Sequence, residues 1–293
     1  SRTDPDASPM HTRGNGHPGY HLHYAIDGGK ARIILAALVT PAEVMENTPM
    51  LDLLWHSRFR WHLRPHHVTG DTTYGTIQNI TAIEREGIRA SVSLPNYEQR
   101  TAYFPKSRFI FDAERDVYIC PQGEQLRQYR YSRTDRQIKY RADKKICNAC
   151  PVKEQCTMGK AGRKVERSFD EEYVERMRGY QETEPYKKAI NKRKVWIEPL
   201  FGEAKDWHGL RRFRLRRLAK VNIEAPVVAS GQNIKRLLTM QGWGGHPGPG
   251  GAGAEARLPA LLGRIGRRWT MIRLITASDH RVQIQGLSGF STA

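Results

Sequence analysis

The stretch GYHLHYAIDGGKARIILAALV, Gly19 to Val39, alternates and then stops alternating. Tyr20, Leu22, Tyr24 and Ile26 are separated by polar or small residues, the period of a strand buried on one face. Asp27-Gly28-Gly29-Lys30 then predicts a two-residue hairpin turn, because glycine accepts a positive φ. The run Ala31 to Val39, apolar and β-branched near its start, reads as a second, buried strand. Upstream, Thr3 to Pro18 is rich in Pro, Gly, His and Asp and reads as loop. Downstream, a helix is expected from Pro41, with Val44, Met45, Leu51 and Leu54 on its apolar side. The short strand HHVTG ends at Asp71, and a helix over Thr76–Glu86 and a strand over Ala90–Leu94 follow. Strand, strand, helix, strand, helix, strand predicts an α/β sheet. Asp71 stands at a C-terminal strand end, where open α/β sheets collect their chemistry.

The chain has 293 residues, room for one large domain or two small ones. Its formal net charge of +18 points to a polyanion, since each phosphate neutralised releases condensed counterions. No apolar run is long enough to span a membrane. The opening SRTDPDASPM has neither an initiator Met nor an apolar signal region and reads like an interior segment. The four cysteines fall within Cys120 to Cys156, which suits a metal site in a reducing cytosol better than secretory disulfides. The expected location is cytoplasmic, with the nucleoid.

The basic charge is concentrated. Lys187 to Lys220 holds twelve Lys or Arg and three acids, half of the whole positive excess. One of those acids is Glu198, in RKVWIEPLFGEAKDWHGLRRF. On a helix Glu198, Gly202 and Lys205 share a face beside the apolar stripe of Ile197, Leu200, Phe201 and Ala204. Pro199 implies that the helix starts near Glu198 or bends there. Glu198 either pairs with Lys194 or Lys205 on a solvated face or holds a divalent metal beside a phosphate. Asp71 likewise reads as a turn or helix cap, or as a second metal carboxylate. Two such carboxylates beside a basic surface are what two-metal phosphoryl chemistry requires.

GDTTYGT around Asp71, IEPLFGEAKDWHGLRRFRLRRL around Glu198, and the opening SRTDPDA with GYHLHYAID together resemble the DDE-type transposases of bacterial insertion sequences. The resemblance covers roughly Ser1 to Leu238. It implies an α/β, RNase H-like mixed sheet flanked by helices, interrupted by a cysteine-bearing zinc insertion. It also implies Mg²⁺ or Mn²⁺ held by Asp71 and Glu198, as the second and third acids, and a DNA contact by Lys205 beside the cleaved bond. The Tyr and Arg that the family carries upstream of the Glu are Asn191 and Lys194 here, so a cation is kept and bidentate geometry is lost. The implied reaction is attack of water on a phosphodiester at the element's end, then attack of the freed 3′-hydroxyl on target DNA. Element ends and target DNA are the implied partners, with a homodimer on DNA as one assembly. A non-catalytic DNA-binding remnant, and a nuclease without strand transfer, are the rival readings.

An RNase H-like sheet begins with three strands, the first carrying the first acid. Only two, those of Tyr20 and Ala31, are legible before the first helix. The expectation is therefore a missing first strand, a hairpin separated from the Asp71 strand, and an inactive chain. Asp4 and Asp6 are the only early acids, and Asp4 is the remaining candidate for the metal site.

Cys147-x2-Cys150 has zinc-knuckle spacing, Cys156 follows, and Cys120 can return across a hairpin. These are either an all-cysteine structural zinc site or four reduced thiols. GLRRFRLRRLAK places six cations among four apolar residues; Arg211, Arg212 and Arg214, with Lys194 and Lys205, are the expected phosphate contacts. The expected domains are a core over 1–95 and 184–240, a zinc insertion over 96–183, and a poorly ordered Gly/Pro linker and tail over 241–293.

Overall fold

The computed structural model describes residues 2–12, 15–95, 101–240 and 281–292. In chain order the elements are β1 (Ser8–Thr12), β2 (Asn15–Asp27), β3 (Ile34–Pro41), α1 (Met50–Trp61), β4 (His67–Gly70), α2 (Ile77–Arg85) and β5 (Arg89–Val92). There follow β6 (Ile110–Asp112), β7 (Val117–Ile119), β8 (Gln125–Ser132), β9 (Gln137–Ala142), α3 (Lys144–Asn148), α4 (Lys153–Cys156) and β10 (Lys164–Ser168). The last are α5 (Glu171–Gln181), α6 (Glu184–Asp206), β11 (Arg212–Phe213), α7 (Leu218–Met240) and β12 (Arg281–Thr292). They form two compact units, Ser1–Ser93 with Met177–Ala293, and Leu94–Arg176.

In the first unit β2 is the organising strand. On one edge its first half pairs with β1 and its second half with β3, both antiparallel. On the other edge it pairs antiparallel with β12, which runs parallel to β4, and β4 runs parallel to β5. The segment read as loop thus contains β1 and the start of β2. The expected gap between the hairpin and the Asp71 strand is closed by β12, drawn from the stretch read as tail. Residues 241–280 of that stretch lie outside the described residues.

Alternation along β2 sorts two cores. Tyr20, Leu22, Tyr24 and Ile26 face Ile197, Leu200 and Phe201 of α6 and Val221, Ala225 and Ala229 of α7. The Tyr24 ring stacks on Phe201 with centroids 4.7 Å apart. Ala25 faces Met50, Leu53 and Leu54 of α1, Tyr74 and Ile83. Two local expectations are corrected. The hairpin turn spans residues 28–33 rather than two residues, because the Asp27 carboxylate accepts the Ile33 amide (2.8 Å) and Arg32 takes φ 53°. The first helix begins at Met50, not Pro41, and Met45 is exposed. Pro49 disfavours helical geometry at Thr48, so the helix forms only beyond it.

The free edge of β3 is covered by a helix. Asn222 of α7 accepts the Val39 amide (2.8 Å) and donates to the Val39 carbonyl (2.9 Å). Asn233 does the same to Ile34, at 2.9 Å for both bonds. Eleven helical residues rise about 16.5 Å and return to within about 20° of the same face. Five strand residues span about 17 Å. The spacings match, so two side-chain amides stand where a neighbouring strand would bond.

The second unit is an antiparallel sheet in the order β10-β9-β8-β7-β6. Tyr118, Leu126, Tyr140 and Val165 pack beneath it with Phe109.

Replacing Asn222 or Asn233 by Ala leaves a β3 amide and carbonyl without these partners, and is expected to cost about 1–3 kcal/mol each. The sites lie about 16 Å apart, so the double variant should show the sum. Urea unfolding of the three variants checks both size and additivity.

Candidate functional site

Asp71 follows the C-terminal end of β4 and caps a 3₁₀ turn over Thr72–Tyr74, its Oδ1 accepting the Thr73 amide at 2.9 Å. The turn packs tightly: a side chain at Gly75 would run into the Ser93 carbonyl. Tyr74 is fully buried, with His23 Nδ1 3.2 Å from its hydroxyl. Burial raises the Tyr74 hydroxyl well above its ordinary range; the Asp71 and Glu46 carboxylates add to this, and Arg193 opposes it. Arg193 was not singled out in the sequence, though it lies one helical turn before Ile197 on the buried stripe. It is 7% exposed, and its Nε and one terminal nitrogen have no hydrogen-bond partner among the described residues.

Helix α6, which packs on β4, β5 and β12, carries Arg193, Lys194, Glu198 and Lys205. It runs from Glu184 through Pro199 to Asp206, so the helix does not start near Glu198. Proline removes the bond to the Val195 carbonyl, and Val195 is 67% exposed, where water can replace it. Lys194 and Glu198 are exposed and Lys205 half-buried. The acid of this helix that is neutralised is Glu203, 2.6 Å from Arg236 and 3.1 Å from Lys235 of α7. Among the described residues no cation lies within ion-pair reach of Glu198.

The arginine cluster is not on a helix. Between α6 and α7 the chain turns at Gly209 (φ 69°), and the buried Leu210 and Phe213 anchor a connector whose Arg211, Arg212 and Arg214 are exposed. Phe213 meets Tyr20 edge-on at 5.9 Å. The Glu224 carboxylate accepts the Arg214 and Leu215 amides, and Arg211 pairs with Asp206. Asp4 is fully buried and belongs to this connector: its Oδ1 accepts the Tyr20 hydroxyl (2.9 Å) and the Arg217 amide (3.1 Å). Asp6 accepts the Leu218 amide at 2.8 Å, so the two early acids tie down the start of α7.

In the second unit all four cysteines line one pocket, with Phe104 and Arg163. Cys120 arrives through a tight turn at Gly123 (φ 83°) between β7 and β8. Cys147 Sγ accepts the Arg163 amide at 3.4 Å. Burial pushes the Cys156 thiol up, Arg163 opposes this, and the other three cysteines add to it. Among the described residues, however, no three His, Cys, Asp or Glu side chains close into a group that can hold a metal ion. That applies to the cysteines and to Asp71, Glu198 and Asp4 alike.

Burial, helped by the neighbouring His21, lowers the His23 imidazole to about 3. The folded chain keeps it neutral, while the unfolded chain takes up a proton below about 6.5. Its contribution is complete above pH 6.5 and is lost as pH falls from there toward 3. Between pH 7 and 5 this one group should remove about 2 kcal/mol, a loss that His23→Gln abolishes in paired urea titrations.

A family model described as "Transposase DDE domain" matches residues 119–238. That span holds the four cysteines, Glu198, Lys205 and the arginine connector; Asp71 lies before it. No curated protein and no solved structure matched the chain. Among the described residues no helix is long and apolar enough to cross a membrane. Over residues 119–238 the chain is therefore similar to the transposase DDE domain family.

Proposed function

We propose that this chain binds DNA through an RNase H-like transposase core in which Asp71 and Glu198 hold divalent metal for phosphodiester cleavage and strand transfer. The observation that carries it is Glu198: an exposed acid in the most basic segment, left without a counter-cation, on the helix packed against the strand that leads to Asp71. Asp71 has one oxygen committed to the Thr73 amide and a second available. Mg²⁺ or Mn²⁺, when bound, activates the attacking oxygen and stabilises the leaving one. Lys194, Lys205 and the connector arginines hold the phosphate backbone. The order β3-β2-β12-β4-β5 supports an RNase H-like sheet, with β12 in the central place.

A specific observation favours a second reading, DNA binding without cleavage. The β12 sequence RVQIQGLSGFST has no Asp or Glu. Under the first reading, Mn²⁺-dependent cleavage of duplex DNA bearing the element's ends is abolished by Asp71→Asn or Glu198→Gln while binding is retained. Binding with no cleavage by the unaltered chain selects the second, and cleavage without joined product selects a nuclease.

That all four cysteines line one pocket supports a structural zinc ion, although no three of their thiols close into a ligand group among the described residues. Four thiolates around Zn²⁺ leave a net charge of about −2, and the neighbouring Arg163 guanidinium offsets part of it. Zinc near one per chain is expected by elemental analysis, falling in Cys150→Ser. Chelation should melt Leu94–Arg176 before the rest, because structural zinc carries folding energy.

A further inference from the structure

The sheet of the second unit treats neighbouring charges in two opposite ways. In one row across its outer face, Lys139 of β9 stands between Arg130 of β8 and Glu166 of β10, and is 3.1 Å from the Glu166 carboxylate. In the adjacent row Arg127 of β8 is directly opposite Arg141 of β9, and Arg141 is directly opposite Lys164 of β10. All three are exposed, and among the described residues none has an acid within ion-pair reach. Like charges facing each other across strands destabilise a sheet. The row next to it shows that one glutamate relieves the conflict.

The backbone is bent to shape the same spot. The β8–β9 register slips between Gln128 and Arg130, a bulge that turns Tyr129 outward. The Arg141 guanidinium then lies 4.5 Å from the Tyr129 ring centroid. The guanidinium covers one face of the ring, and this cation–π contact holds Arg141 beside it.

We infer that the Arg127–Arg141–Lys164 row is a phosphate-binding surface for the DNA backbone, separate from the arginine connector of the first unit. The inference rests on the DNA reading proposed above and adds a second contact to it. Three cations on adjacent strands span about 10 Å, with no counter-acid among them. They therefore suit a polyanion gripped without regard to sequence. An acidic protein segment is the other polyanion, and the test separates the two.

The experiment measures affinity of the full chain for a random-sequence DNA duplex between 50 and 200 mM salt. The triple variant Arg127→Gln, Arg141→Gln, Lys164→Gln should flatten the slope by about 0.9 per lost phosphate contact, so the affinity ratio across that range shrinks on the order of 40-fold. Glu166→Gln removes the nearer of the two acids on Lys139, leaving Asp135 at 4.0 Å, and should move affinity the other way, tightening binding, an effect that misfolding cannot mimic. A triple variant with the parental slope, or Glu166→Gln without tighter binding, overturns the inference. So does a parental slope combined with lost retention on poly-glutamate, which would assign the row to a protein partner. If the unaltered chain binds no DNA at any salt, the DNA reading itself falls and takes this inference with it. An Arg211→Gln, Arg212→Gln, Arg214→Gln variant that flattens the slope while the sheet variant does not would leave the DNA reading standing and sink this one alone.

Discussion

A strand inside a sheet must satisfy backbone groups on both edges, and β2 meets that demand from two distant parts of the chain. One edge takes β1 and β3, its neighbours in sequence; the other takes β12, more than 250 residues downstream. Without β12 the hairpin and the β4–β5 pair would each present an open edge, a costly state for buried amides and carbonyls. With it, α6 has one continuous surface to lie on. The same helix brings Glu198 to the unit that contains Asp71.

The alternating pattern made much of this legible. Tyr20, Leu22, Tyr24 and Ile26 are the buried face of β2, and Asp71 does stand just past a strand end. What escaped the sequence is what periodicity cannot carry. RVQIQGLSGFST has only two alternating apolar positions before its glycines, and its pairing depends on partners far away. Pro49 moved the first helix by a local rule that was available but outweighed by the apolar spacing. Asp4 reads as a candidate ligand only while its neighbours are unknown; the Tyr20 hydroxyl and Arg217 amide give it a structural task. The arginine run forms a connector rather than a helix because the chain turns at Gly209, whose positive φ a helix does not accommodate.

Charge in this chain is not spread as a solvated coat. Glu203, Glu224 and Glu166 are each engaged with a cation or with backbone amides, while Glu198 among the acids, and Arg127 and Lys164 among the cations, stand without such partners among the described residues.

The two asparagines of α7 also turn the helix into a ruler. Asn222 and Asn233 reach Val39 and Ile34 because a helix and a strand advance at different rates that coincide over this interval. One residue inserted between them would swing Asn233 by about 100° and carry it about 1.5 Å along the axis, away from its strand. An insertion anywhere in segment 223–232 would therefore break the match, whatever residue is added. The turn over 28–33, at the far end of the same strand, lies outside that interval, its two ends tied by the Asp27 carboxylate on the Ile33 amide.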